Sequence, residues 1–325
     1  MSFPSDCSLS ACLRGVFCAV GLFLFTATLP GQVTVDPVPL LSESFTGTTA
    51  ADWTFVTGQG TGSVLTAAQG IDADGSGWLR LTGDIQNQSS FVYHNQALPT
   101  QHGLIIRFDF VIWGAANSLG DGFTLALFDA SVTPEAGGYG GSLGYAQRFG
   151  QGGLAGGIVG FGFDVHGNFS AESEGRVGGP GRTQNAIAIR GSMGETRAQG
   201  YDYITGTGSL DAFSKAAATE RGQATIHTVR LTLSPSQEIT VEWQRAGDLD
   251  WIVLIDQFQC DLVCPESVRL GFTAGTGQVS AHQEIRNLEV AAIPEPRKAA
   301  FAMAVLAALW VCRRKMKSGS VSETC

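Results

Sequence analysis

The sequence has little positive charge, few cysteines and almost no helical pattern, and these shortages limit what the protein can be. It contains 20 Lys and Arg against 29 Asp and Glu among 325 residues. Between residues 32 and 294 there are 13 basic and 26 acidic side chains, which gives a net charge of −13. Nucleic acids and anionic lipid surfaces attract proteins through positive charge. We therefore expect neither as a partner of this part of the chain.

The N-terminal segment, residues 1–31, has the composition of a targeting signal rather than of a folded domain. Its single positive charge, Arg14, is followed by an apolar run that Pro30 and Gly31 close. A short apolar stretch with a positive flank at the N-terminus is typical of a secretory signal peptide. The sequence therefore predicts export.

The C-terminal segment, residues 293–317, combines a Pro-Glu-Pro triplet, an uncharged run at 299–312 and a basic cluster, and a polar tail follows at 318–325. As a helix the uncharged run would be only about 21 Å long, shorter than the hydrocarbon core of about 30 Å. A short membrane anchor is one interpretation. The segment also resembles the PEP-CTERM sorting signal of Gram-negative bacteria, which an exosortase recognises. This resemblance implies a bacterial envelope with exopolysaccharide, and contact with the membrane only through this segment.

Cysteine and histidine are too sparse between the two signals to suggest a metal cluster. Cys260 and Cys264 stand alone there, without further Cys or His at zinc spacing. In an exported chain such a pair favours a small disulfide over a zinc site. The five histidines of the chain show no metal-ligand spacing either.

Short alternating segments run through the body of the chain, residues 32–292. Val229, Leu231 and Leu233 form one apolar face of such a segment, with polar residues between them. This period of two is typical of half-buried strands. Many short strands with glycine-rich turns predict an all-β antiparallel sandwich. We expect strands at 78–81, 90–94, 104–113, 123–128, 158–165, 186–190, 228–233, 238–245, 251–257, 268–274 and 284–291, and a short helix or a loop excursion at 210–221.

Glycine is concentrated in the middle of the chain, where residues 137–181 contain 17 glycines among 45. A flexible low-complexity insertion would have this composition. Large apolar residues recur in the same stretch, Tyr139, Leu143 and Tyr145 among them, and a linker would not need them. We therefore predict tight loops at one end of the sandwich, where the backbone closely approaches a ligand or a metal.

The stretch from Gly156 to Ser170 holds the strongest candidate site. It begins as an apolar strand that ends at Asp164, and His166 and Asn168 follow at once. A carboxylate, a backbone carbonyl and an amide oxygen in one tight loop are the hard ligands that calcium prefers. The alternative is an Asx turn at a strand end, because Asp and Asn hydrogen-bond to nearby backbone in such turns.

This stretch resembles the metal-binding loop of the legume, or L-type, lectins. In that family a strand ends in Glu-x-Asp, and an Asn follows four residues after the Asp. The resemblance implies a jelly-roll β-sandwich of the concanavalin A type. It also implies a calcium site with Asp164, the carbonyl oxygen of His166 and Asn168 as ligands.

Two positions depart from the family pattern. Gly162 stands where the plant lectins have the Glu that binds a transition metal, so we do not expect manganese. Animal cargo lectins with a similar sandwich also lack that Glu and use calcium. The family's fourth ligand falls at Ser173, and we assign its role to the neighbouring Glu172, with Glu174 and Asp202 as alternatives.

Three further stretches extend the resemblance over residues 104–292, in the order that an L-type lectin requires. Asp121, within Gly-Asp-Gly, matches the aspartate that accepts hydrogen bonds from sugar hydroxyls in the family. Gly141 matches the glycine whose backbone N–H faces the sugar, and Gly275 begins the loop that varies with specificity. Together with Asn168 they form the implied sugar site.

The resemblance implies an exported, calcium-dependent carbohydrate-binding protein of the cell envelope or extracellular matrix, with the cell's own exopolysaccharide as a candidate ligand. A structural envelope protein that uses the sandwich without binding sugar is the alternative. We do not expect an enzyme. Glycines at Gly162 and Gly167 replace both glutamates of the Glu-x-Asp-x-x-Glu motif of related hydrolases. The Gly-x-Ser-x-Gly match at 140–144 lacks the strand and helix that such a nucleophile motif needs.

Overall fold

The computed structural model describes residues 36–294, so the predicted signal peptide at residues 1–31 and nearly all of the predicted sorting signal at 293–317 lie outside the described residues. No helix among residues 36–294 is long and apolar enough to cross a membrane. Two 3₁₀ segments, Gly140–Ser142 and Arg221–Gln223, accompany the strands. The strands are β1 Val38–Glu43, β2 Trp53–Gln59, β3 Val64–Leu65, β4 Leu79–Thr82, β5 Ser89–His94, β6 Leu98–Pro99, β7 Leu104–Trp113, β8 Gly122–Asp129, β9 Gly157–Asp164, β10 Ala186–Arg190, β11 Tyr203–Gly206, β12 His227–Leu233, β13 Glu238–Arg245, β14 Ile252–Gln259, β15 Ser267–Gly275 and β16 His282–Ala292.

These strands form two eight-stranded sheets. The first sheet has the order β14-β13-β12-β7-β16-β4-β3, with β1 also paired to β16. The second sheet has the order β11-β10-β9-β8-β15-β5-β2, with β6 also paired to β15. Neighbouring strands pair antiparallel throughout, for example β7 with β16 and β8 with β9. The predicted antiparallel jelly-roll β-sandwich is confirmed.

The main hydrophobic core lies between the two sheets and follows the period of two. In β12 the side chains of Val229, Leu231 and Leu233 are buried, while the polar residues between them are only partly buried. Aromatic rings fill the centre, where Phe110 of β7 meets Phe163 of β9 edge-on, with ring centroids 4.9 Å apart. Burial of such side chains is the main driving force for this fold.

A second core covers the opposite face of the second sheet, so β9 is buried on both sides. Here Tyr145 and Phe169 come from loops and lie on the strand. A Cβ atom at Gly160 would lie 2.6 Å from the ring of Tyr145, and one at Gly162 would lie 2.3 Å from the ring of Phe169. The glycine-rich stretch is therefore packed structure, because its glycines leave room for aromatic rings.

The segment 210–221 is a loop excursion, the second of the two expected alternatives, and not a short helix. Ala212 and Ala217 have φ of 58° and 53°, in the left-handed region that a right-handed helix excludes. Phe213 is buried in the main core, and Lys215 forms an isolated parallel bridge with Trp113. Tertiary contacts thus hold this segment extended across the end of the sandwich.

The expected disulfide does not form, because Cys260 and Cys264 are both free thiols. Cys260 is buried, and its thiol donates a hydrogen bond to the carbonyl oxygen of Gln237 at 2.8 Å. Cys264 packs against the main core. Both side chains therefore serve as small apolar residues.

The buried histidine of β12 should make stability depend on pH. His227 stacks on Trp243 with ring centroids 4.6 Å apart, and its Nε2 donates to the carbonyl oxygen of Ala212. Its Nδ1 is buried without a partner, and burial lowers the pKa of His227 to about 4.

Between the unfolded pKa of about 6.5 and the folded pKa of about 4, only the unfolded chain takes up this proton, so stability should fall as pH falls. The loss should reach up to about 3 kcal/mol across this window. Urea unfolding of the purified protein and of His227→Phe at pH 4.5–7.5 measures it. Equal pH slopes in the two proteins would contradict this account.

Candidate functional site

A polar cavity of about 330 Å³ opens at one end of the second sheet, where the loops beside β8, β9 and β15 converge. Three of the four residues predicted to bind sugar line it, although they come from separate parts of the chain. The lining residues are Asp121, Gly140, Gly141, Arg148, His166, Asn168, Glu174, Gly277, Gln278 and Val279.

Asp121 immediately precedes β8 and is fixed by the ends of two other strands. Its N–H donates to the carbonyl oxygen of Gly275 at 3.1 Å, and its own carbonyl oxygen accepts the N–H of Val165 at 2.9 Å. The side chain is buried, and its Oδ2 has no hydrogen-bond partner of good geometry, although the nearby backbone N–H of Gly277 acts to lower its pKa. Burial, together with the negative charge of Glu174, raises the pKa of Asp121 to about 7. A ligand hydroxyl would satisfy this oxygen, which is costly to leave unpaired.

Gly141 and Asn168 lie against each other in the cavity wall. A Cβ atom at Gly141 would stand 2.4 Å from Cβ and 3.1 Å from Nδ2 of Asn168. Only glycine therefore lets the amide of Asn168 lie beside the 3₁₀ segment Gly140–Ser142. The structure brings together two residues that lie 27 positions apart in the sequence.

Gly275, the fourth residue predicted to bind sugar, supports the cavity from behind instead of lining it. As the last residue of β15 it accepts the N–H of Asp121, and a Cβ atom on it would lie 2.8 Å from the backbone nitrogen of Gly140. The lining from this loop comes from residues 277–279. Gly275 is still paired with Gly122 of β8, so the loop that faces the cavity begins only after it.

Arg148 and Glu174 form an ion pair in the cavity that the sequence analysis did not find. Their side chains approach to 3.3 Å, and the guanidinium of Arg148 lies 4.1 Å from the centre of the Tyr139 ring. Burial favours the neutral form of Glu174, but hydrogen bonds from Arg148 and Arg176 hold its pKa below the usual range. No spacing in the sequence signals a pair formed by two distant loops.

Two of the residues predicted to bind calcium, Asp164 and His166, have protein partners for the oxygens assigned to the ion. Asp164 is fully buried, and its two carboxylate oxygens accept the N–H groups of Gly167 and Phe169, each at 2.7 Å. The carbonyl oxygen of His166 accepts a hydrogen bond from Nε of Arg182 at 2.7 Å. Burial raises the pKa of Asp164 to about 7, and these two N–H donors offset only part of that effect. This arrangement matches the alternative interpretation from the sequence, an Asx turn at the end of a strand.

The candidates for the fourth ligand do not complete a metal site. Glu172 is exposed, and Glu174 is paired with Arg148 and Arg176. Asp202 lines a different cavity, beside Cys260. Among residues 36–294 no group of three or more His, Cys, Asp or Glu side chains is placed to hold a metal ion. The predicted ligand set therefore does not fit calcium in this arrangement.

Comparison with solved structures identifies the fold. The lectin from Bauhinia forficata in complex with GalNAc matches with a TM-score of 0.53 and 18% identity, over 78% of this chain and 99% of the lectin. The metal-free form of lectin I-B4 from Griffonia simplicifolia matches with a TM-score of 0.52 and 16% identity, over 78% and 99%. The exoplasmic/lumenal domain of VIP36, bound to Ca²⁺ and Man2, matches with a TM-score of 0.52 and 15% identity, over 80% and 90%.

Identities this low show the fold alone, and the chain therefore has the L-type lectin fold. No protein-family model and no curated protein sequence matches it.

The contact between Gly162 and Phe169 is open to a direct test. Gly162→Ala should lower the free energy of unfolding by about 1–3 kcal/mol, because the added methyl group overlaps the Phe169 ring. In a Phe169→Leu background the same change should cost less, which a double-mutant cycle in urea would measure. Gly208→Ala is the matched control, since a Cβ atom there meets nothing within 4 Å. Additive losses would contradict this contact.

Proposed function

We propose that the protein binds carbohydrate in the cavity formed by Asp121, Gly141 and Asn168. The observation that carries the proposal is the buried Oδ2 of Asp121, which has no partner and borders this cavity. Above its pKa of about 7 the carboxylate of Asp121 is ionised and only accepts hydrogen bonds, whereas an amide N–H₂ only donates them. A sugar hydroxyl, which does both, can therefore bridge Asp121 and Asn168.

Neighbours in the fold support this choice of ligand. The Bauhinia lectin is described in complex with GalNAc, and VIP36 with Man2. The cavity volume of about 330 Å³ lies at the lower end of the range for small-molecule sites. The protein is also acidic, and its negative charge repels anions. A neutral glycan is therefore a better candidate than an anionic polymer.

The two carboxylates of the cavity, Asp121 and Glu174, are better suited to binding a sugar than to hydrolysing one. A glycoside hydrolase places two carboxyl groups on either side of the scissile bond, one as acid and one as base or nucleophile. Glu174 is the other carboxylate that lines the cavity, and it is held by two arginines. A group so paired is a poor nucleophile or base.

Calcium dependence of sugar binding is a separate hypothesis, with one observation for it and one against it. VIP36 supports it, because its structure holds Ca²⁺ together with a sugar. The hydrogen bonds to Asp164 and His166 count against it, because they engage the oxygens that the ion would need. Calorimetric titration of calcium into chelator-stripped protein, beside Asp164→Ala, separates the two accounts.

Replacing the unpaired carboxylate tests the sugar site. Asp121→Asn should weaken glycan binding at least tenfold, about 1.4 kcal/mol, because the amide removes the negative charge and replaces one of the two acceptor oxygens with an N–H₂ donor. Asp129→Asn, at the other end of the same strand, should bind like the wild type. Both are compared on a glycan array that includes the envelope polysaccharide of the source organism.

A wild-type protein that binds no glycan on that array would sink the proposal. The second candidate, a structural protein of the envelope or matrix, would then lead. It is favoured by the two targeting signals, which address the protein without requiring a sugar site.

We also propose export through residues 1–31 and sorting through the segment that begins at 293, with an exosortase-type enzyme as partner. Mature protein isolated from the cell surface should then have a mass below the 34.1 kDa of the full chain. Mass spectrometry of envelope and medium fractions gives both ends of the mature protein. An intact N-terminus in cytoplasmic fractions would contradict export.

A further inference from the structure

Arginine side chains hold the loop after β9, residues 164–182, which contains the residues that the resemblance assigns to a metal ion. Arg182 donates from Nε to the carbonyl oxygen of His166 at 2.7 Å. The carboxylate of Asp164 closes the start of the loop by accepting two backbone N–H groups. The oxygens predicted to bind calcium at both residues thus already have protein donors.

Arg190 places a positive charge beneath this loop. It lies in β10 opposite Gly160 of β9, and its side chain is completely buried. Its guanidinium donates to five backbone carbonyl oxygens, those of Phe169 at 2.7 Å, Val177 at 2.8 Å, Tyr201 at 2.8 Å, Ala171 at 3.2 Å and Gly178 at 3.4 Å. Four of these carbonyls belong to the loop at residues 164–182.

The five carbonyl contacts use every N–H donor that a guanidinium has. A buried cation surrounded by backbone carbonyl oxygens is also how proteins hold calcium. Burial lowers the pKa of Arg190 to about 10, so the side chain keeps its charge at neutral pH. The loop therefore has a permanent, covalently attached cation.

Arg176 connects the same loop to the cavity wall. It is buried, and it donates to the hydroxyl oxygens of Ser142 at 2.6 Å and Ser173 at 2.8 Å and to Glu174 at 3.0 Å. Ser142 ends the 3₁₀ segment that lines the cavity with Gly140 and Gly141. The charge of Arg176 also offsets part of the burial that raises the pKa of Asp164.

We propose that Arg190 and Arg176 take the place of the metal ion, so that the loop is ordered, and the sugar site presented, without a divalent cation. The statement about the sugar site rests on the proposed function. The statement about the loop stands on the contacts of the two arginines alone.

The first experiment uses the purified full chain, dialysed against a chelator and then supplied with millimolar calcium. We expect no heat of binding by calorimetry and a melting temperature that changes by less than about 1 °C. Saturable calcium binding that Asp164→Ala abolishes, accompanied by a clear rise in melting temperature, would overturn the proposal.

The second experiment replaces the cations. Arg190→Lys keeps the charge but offers three donors at a point instead of a planar fork of five, so the melting temperature should fall by about 5 °C or more. Arg176→Lys is the milder variant if Arg190→Lys fails to fold. Arg107→Lys is the matched control, because Arg107 forms an exposed pair with Glu289, and it should melt within about 1 °C of the wild type. Wild-type stability in both loop variants would refute the role of the arginines.

The third experiment separates this inference from the proposed function. Equal glycan binding with chelator and with calcium supports both. Binding that the chelator removes and calcium restores overturns the inference while leaving the sugar function in place. If no glycan binds in either condition, the sugar function fails, and the melting and calorimetric results still decide whether the arginines replace the metal.

Discussion

Aromatic side chains from two loops lie directly against glycines of the second sheet, and this contact holds the loops that form the cavity wall. In β9, Phe161 and Phe163 point into the main core. Gly160 and Gly162 alternate with them and leave the opposite face of the strand without side chains. The rings of Tyr145 and Phe169 occupy that face, nearer than any Cβ atom would permit. A larger residue at either glycine would lift a loop off the sheet, and the cavity wall with it.

That packing brings polar groups from distant loops into one cavity and leaves many backbone carbonyls in a buried loop. Buried carbonyls need donors, and in this chain Arg190 supplies them to the loop after β9. Asp164 meets the same need for the N–H groups of Gly167 and Phe169. The cavity beside this loop keeps one buried acceptor without a partner, on Asp121, and the proposed sugar site rests on it.

Alternation predicted the long strands well, because residues that face a single core repeat every second position. The bounds of β7, β10 and β13 match the expectation, and the other expected strands end within two residues of it. The strands that were not expected are short or lie at edges. β3 and β6 have two residues each, and β11 is partly buried along its whole length, so neither face stands out. Alternation could not decide between a helix and a loop at 210–221; the segment is a loop, with Ala212 and Ala217 in left-handed backbone on either side of the buried Phe213.

Periodicity and motif spacing are local properties, so they were enough to predict the sandwich, the net negative charge and the separate segments that carry Asp121, Gly141 and Asn168. The contacts of those residues depended on the folded arrangement of distant strands. That arrangement placed Gly275 behind the cavity, paired Arg148 with Glu174, and gave the oxygens of Asp164 and His166 to backbone N–H groups and to Arg182. The physical reason is that a side-chain oxygen can bind a metal, a backbone N–H or an arginine equally well in principle. Which of these it meets depends on groups brought near it by strands far away in the chain.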